Sequence, residues 1–268
     1  MRKNNPEHVK MFTFIPKESH IIAKPEARTR LPAFLQLTGN NDIDILVWVR
    51  TALQNEDVTP YLNEVEAKLD EMSMEPAKAI LNFVDNLRKS GSQNFDFMRD
   101  VFNLNANWKG EIERLRRRYE EAESIINKFG SREAVFELTL PEKIIVENYG
   151  YLYEVCDEES EFRESVVSGF RHVLPSPTTL TDVIREWEYW AFISNSRLRV
   201  KDPKSYLNKT PWKWDRIDFL IEQLTCLKPV TRTEALTVCK WLLACDYFEG
   251  RDSLFDRIIL NLVGECEE

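Results

Sequence analysis

The chain has 268 residues, of which 43% are hydrophobic and 30% charged, with a net charge of −9. This balance excludes an intrinsically disordered chain, and the length allows one large domain or two smaller ones, each burying its own core. Glycine is scarce, at 8 residues, and the nearest two, Gly250 and Gly264, stand fourteen positions apart, so the Gly-rich loops of P-loop and dinucleotide-binding folds are excluded as well.

Residues 1–41 carry Pro6, Pro16, Pro25 and Pro32, with seven basic and three acidic side chains. Proline is disfavoured in helix interiors and biases its predecessor toward extended backbone, so the segment is predicted to be an extended basic arm. Its apolar residues Phe12, Phe14, Ile15, Ile21 and Ile22 are expected to pack, on this chain or on a neighbour.

From Asn41 onward the pattern is helical. Residues 42–54 are apolar nearly all round, as in a central helix. Thr59-Pro60 marks a helix start, followed by the stripe Leu62, Val65, Leu69 and Met72. Pro76 and Gly91 bracket a helix with Ile80, Phe83, Val84 and Leu87 inward, and a short helix is predicted around 95–102. Over 105–129, Trp108, Ile112, Leu115, Tyr119, Ala122, Ile126 and Phe129 alternate spacings of four and three, a coiled-coil-like seam that Gly130 ends. The basic run at 114–118 is expected to be neutralised along its own helix by the i,i+4 pairs Glu113–Arg117, Arg116–Glu120 and Arg117–Glu121.

Residues 132–155 read both ways, as a small β element around AVFELTL and YGYLYEV or as helix. The acidic run 154–164 follows. Further helices are predicted after Ser176-Pro177 (Leu180, Val183, Ile184, Trp187, Trp190, Ile193) and after Thr210-Pro211. Another follows the capping box of Thr231 and Glu234 and carries Leu236, Cys239, Leu242 and Leu243, and Asp252 is expected to cap a last one whose inner face is Phe255, Ile258, Ile259, Leu262 and Cys266. The expected fold is all-α, an irregular multi-helix bundle or array of about nine to eleven helices. Its parts are an arm at 1–41 and helical subdomains at 42–130 and 131–268.

The chemistry legible in the chain is sparse. The histidines are His8, His20 and His172, without His-Glu-x-x-His or paired Glu-x-x-His spacing, and the cysteines at 156, 226, 239, 245 and 266 form no Cys-x-x-Cys. No catalytic residue, metal or cofactor is assigned. His172 fits a helix C-terminus, where a cation complements the macrodipole. Unpaired cysteines and the lack of an apolar stretch behind Met1 lead us to expect a cytoplasmic protein, and the longest apolar run, Ile45 to Val49, does not cross a bilayer.

The candidate functional segment is 197–216, with seven basic and two acidic side chains and interleaved aromatics. Read as an exposed connection, it offers Arg197, Arg199, Lys201, Lys204, Lys209, Trp212, Lys213 and Arg216 to a partner. The expected function is non-catalytic protein–protein interaction, as an adaptor, assembly factor or subunit of a larger complex, with another protein or a second copy as partner. The alternative is binding of nucleic acid, with these cations on the phosphates and the aromatic faces on unpaired bases.

Overall fold

The computed structural model describes residues 2–16, 31–55, 58–91, 107–155, 173–200 and 211–264, with the backbone alone described at 149–155 and 211–214. The helix predicted over 95–102, the acidic residues 156–164, His172 and Lys201, Lys204 and Lys209 lie outside the described residues. Among the described residues the fold is all-α, with eleven α-helices, two short 3-10 turns and no strand. The chain divides into two compact units, one of residues 21–124 and one of residues 1–20 with 125–268.

The unit of residues 21–124 is built on α2 (Asn41–Leu53), against which α3 (Leu62–Asp70) and α4 (Pro76–Lys89) pack. Asn40 caps α2 by accepting the Asp42 and Ile43 N–H groups at 3.1 and 3.2 Å. The uniformly apolar character of α2 is explained by burial: Ile43, Ile45, Leu46 and Val49 are all fully enclosed. Asp42, at the same end, accepts the Ser73 N–H and hydroxyl at 2.9 and 2.7 Å, fastening the α3–α4 connection to the helix. Trp108 and Ile112, at the start of α5 (Trp108–Phe129), complete this core.

Helix α5 serves both units, with residues up to Ser124 in the first and Ile125 onward in the second. This explains why its seam is not uniform. Trp108, Ile112, Ile126 and Phe129 are buried, whereas Leu115, Tyr119 and Ala122 between them are half-buried. Two of its arginines are neutralised through i,i+3 contacts, Arg114 with Glu111 and Arg116 with Glu113 at 3.2 Å. Arg116 also crosses to Glu66 on α3 at 2.9 Å.

The second unit is organised around α8 (Leu180–Val200). Four helices pack on it: α1 (Pro6–Met11), α6 (Arg132–Phe136), α9 (Pro211–Cys226) and α10 (Arg232–Ala244). Helix α7 (Leu140–Val155) packs on α9, and α11 (Asp252–Val263) on α9 and α10. The expected capping box at Thr231 is half formed. The Thr231 hydroxyl accepts the Glu234 N–H at 3.1 Å, but the Glu234 carboxylate takes the Val230 N–H at 2.6 Å and the Thr181 N–H at 3.0 Å, tying α10 to the start of α8.

One expectation is corrected. The N-terminal arm contains a helix, α1, because Asn5 supplies the cap and Pro6 occupies the first turn, where a missing N–H costs nothing. The segment 132–155, which reads both ways in the sequence, forms the helices α6 and α7. Thr139 and Glu142 form a capping-box contact at its centre, the Thr139 N–H and hydroxyl donating to the Glu142 carboxylate at 2.7 and 2.8 Å, and this start signal overrides the β propensity of the tyrosines that follow. On α10 the core face is Val238 and Leu242, while Leu236 and Leu243 point outward at 53% and 78% exposure.

Candidate functional site

Of the described cations of 197–216, Arg197 and Arg216 are buried. Helix α8 runs on to Val200 and α9 begins at Pro211, so Arg197 and Arg216 are helical residues directed inward. The Arg197 guanidinium clamps Glu142 through both nitrogens, at 2.6 and 2.8 Å, and donates to the Val135 and Glu137 carbonyls at 3.0 and 2.9 Å. Arg216 is fully buried and grips Glu186 at 2.6 and 3.0 Å while donating to the Pro175 carbonyl at 3.1 Å. Both are fork-shaped, bidentate pairs. Their charge is consumed inside the unit, and neither is available to a partner. Arg199 is exposed, and the side chains of Trp212 and Lys213 lie outside the described residues.

Glu186 is the centre of a larger buried network. Besides Arg216 it accepts the Trp190 indole N–H at 3.1 Å and meets His8 Nε2 at 2.8 Å, with the His8 and Glu186 side chains both fully buried. Burial pushes the Glu186 carboxyl up, but Arg216 and His8 together outweigh it and hold the group below the usual carboxylate range. The ionised carboxylate therefore accepts a hydrogen bond from His8 Nε2–H. Asp182, one turn earlier, accepts the Asn5 N–H at 2.9 Å and pairs with Arg185 at 2.6 Å. Burial raises its carboxyl too, and the Asn5 and Arg185 donors bring it below its ordinary value. Glu142 behaves likewise, with desolvation overcome by Arg197 and Thr139. None of this network was legible in the chain, because its partners are separated by 30 residues for Arg216, 55 for Arg197 and 178 for His8.

These depressed carboxyls set the pH response. A carboxyl whose folded-state value lies below its unfolded value, about 4.3 for Glu and 3.9 for Asp, contributes stability that is complete above that value. That contribution is lost as pH falls through the folded value. The urea midpoint of the protein is expected to show no loss from these groups between about pH 7 and 5 and to fall below about pH 4, with a shallower fall in Glu142→Gln. A midpoint in wild type that rises on acidification would contradict ionised Glu142, Asp182 and Glu186.

The surface of the same unit carries an open cleft of about 630 Å³ between α8, the end of α10 and the 3-10 turn Asp246–Phe248. Its walls include Trp187, Trp241 and Tyr247, with Glu188, Cys245 and Asp246 beside them. Trp241 and Tyr247 meet Trp187 nearly at right angles, at ring separations of 5.5 and 4.9 Å, and Phe248 stacks on Trp187 at 5.7 Å from beneath the surface, itself buried. Trp241 and Tyr247 remain half-buried, so aromatic surface faces the opening. Burial pushes the Cys245 thiol up, which keeps it neutral. Glu188 and Asp246 are exposed and are the charged residues of the lining among the described residues. The apolar pattern of α8 marks Trp187 in the sequence, but no local signal brings Trp241 and Tyr247 to it.

Among the described residues no three His, Cys, Asp or Glu side chains converge as metal ligands would, and no helix is long and apolar enough to cross a membrane. Comparison of the chain with family models, with curated proteins and with solved structures returns no match.

Proposed function

We propose that the protein acts by binding another protein, as an adaptor, assembly factor or subunit of a larger complex, and that the aromatic cleft of the α8–α10 unit is its contact surface. One observation carries this reading: half-buried Trp241 and Tyr247 each pack on the buried Trp187 beside a cleft of about 630 Å³. Trp and Tyr are the side chains that supply large contact area at low entropic cost, and they dominate the binding energy of interfaces when set in a pocket. A volume of this size lies within the range of formed binding pockets. The nucleic-acid alternative rested on eight side chains of 197–216, and it is weakened by the loss of Arg197 and Arg216 to internal ion pairs.

The test is co-purification from the native host at about 0.1 M salt, where surface charges are screened beyond about 10 Å, with and without nuclease. A protein retained after nuclease treatment by wild type, and reduced at least about ten-fold by Trp241→Ala, is the expected result. Retention that is indifferent to Trp241→Ala, or that disappears with nuclease, would overturn the reading.

A further inference from the structure

We infer that the outward face of α10 is a docking surface for an acidic amphipathic helix of a partner protein. The helix carries more apolar sequence than its own unit covers. Val238 and Leu242 form the inward stripe, and both are buried. A second stripe, Leu236, Cys239 and Leu243, has spacings of three and four, the a–d–a repeat by which one helix seats on another. Cys239 is half-buried, Leu236 is exposed, and Leu243, at 78%, is the most exposed large apolar side chain among the described residues. A single exposed leucine is ordinary. Two of them a heptad apart on one helix, about 10 Å along its axis, are a preformed pair of knobs. None of the three residues lines the aromatic cleft, so this surface is distinct from it.

Charge selects the occupant. The exposed charges of α10 are Arg232 and Lys240, one turn before and one turn after Leu236, and neither forms an ion pair among the described residues. The one carboxylate of the helix, Glu234, is engaged by the Val230 and Thr181 N–H groups at 2.6 and 3.0 Å. On a chain of net charge −9 this face is therefore locally cationic. Cations flanking an apolar seam attract carboxylates on the opposing flank and repel a basic helix. A second copy is a poor fit for the same reason. Antiparallel pairing of α10 with itself would centre between Cys239 and Lys240 and set Lys240 against Lys240 across the two-fold axis. A lipid surface binds a helix in proportion to the apolar area inserted, and two leucines supply little.

The probe is a fluorescein-labelled helical peptide of about three heptads, with leucine at a and d and glutamate at e and g, compared with the same peptide carrying lysine at e and g. Binding to the full chain is followed by fluorescence anisotropy at about 50 mM salt, where attraction between surface charges persists. The glutamate peptide is expected to bind at least about ten-fold more tightly than the lysine peptide. Leu236→Ser with Leu243→Ser, both at exposed positions, is expected to weaken it at least about ten-fold while leaving the urea midpoint unchanged. Arg232→Glu with Lys240→Glu is expected to reverse the order of the two peptides. Equal binding of both peptides, no binding of the glutamate peptide, an unreversed order in the charge variant, or full binding by the leucine variant would each overturn the inference.

Two further measurements address the rival occupants. Cosedimentation with vesicles of phosphatidylcholine and phosphatidylglycerol that is lost in the Leu236→Ser/Leu243→Ser variant would make lipid the occupant and overturn the assignment to a helix. Self-association by light scattering that vanishes in the same variant would make a second copy the occupant and overturn it as well. Wild type is expected to show neither.

Discussion

Replacing Arg216 with methionine is expected to destabilise its unit by about 3–5 kcal/mol, the usual cost of removing one member of a buried ion pair. The reason lies in what remains. Glu186 is fully buried, and its carboxylate is compensated by two bonds from Arg216 at 2.6 and 3.0 Å, one from His8 and one from Trp190. Without the guanidinium, an ionised carboxylate stays in a low-dielectric site with only the His8 and Trp190 donors, and either it takes up a proton or the helix pair opens. The Pro175 carbonyl loses its donor as well. Combining Arg216→Met with Glu186→Gln should recover part of the loss, since a neutral amide no longer leaves a buried charge. Urea unfolding followed by tryptophan fluorescence measures this directly, because five of the seven tryptophans (187, 190, 212, 214 and 241) belong to this unit. A loss below about 1 kcal/mol would mean that Glu186 is solvated or protonated in the folded state.

Phe12→Ala is expected to cost about 3 kcal/mol, at the lower end for a buried phenylalanine. Phe12 is 2% exposed and sits against the rings of His8, Tyr189 and Trp190 at 4.6, 5.6 and 6.0 Å. The contribution is bounded above by the free energy of peeling residues 2–16 from α8, since a segment near a chain end can detach without global unfolding. That attachment is substantial. The Thr178 hydroxyl donates to the Lys3 carbonyl at 2.7 Å, the Asn5 amide to Ser176 at 2.9 Å, and Phe14 packs on Phe129 and Phe192 at 4.8 and 4.7 Å. A free arm would leave the urea midpoint unchanged by this substitution. Proteolysis provides an independent reading, with wild type resisting cleavage after Lys10 and the variant admitting it.

Both expectations concern residues whose importance a linear reading underrates. Phe12 was legible as an apolar residue that had to pack, because a run such as Phe12, Phe14 and Ile15 does not stay in water. Arg197 and Arg216 looked like surface cations, because a basic residue in a proline-broken stretch is ordinarily solvated. What buried them is the length of α8, which carries Arg197 one turn further than its apolar stripe suggested, and the inward face of α9, which places Arg216 beside Glu186.

The sequence by itself determined the local grammar of this protein. The Thr231 cap, Pro76 and Pro211 in first turns, Gly91 and Gly130 in the left-handed conformation at helix ends, and the three-and-four spacing of apolar residues all act within a turn or two. They are therefore readable without the fold. Where two local signals competed, as at 132–155, the Thr139–Glu142 start and the enclosed Ile145 prevailed over β-prone tyrosines. The tertiary structure alone decided which charges are spent inside and which surface is left open. His8, Glu186 and Arg216 converge from three separate helices, and Trp187, Trp241 and Tyr247 from two helices and a 3-10 turn. Their proximity follows from packing across tens of residues, an interaction that leaves no periodic or short-range trace in one chain.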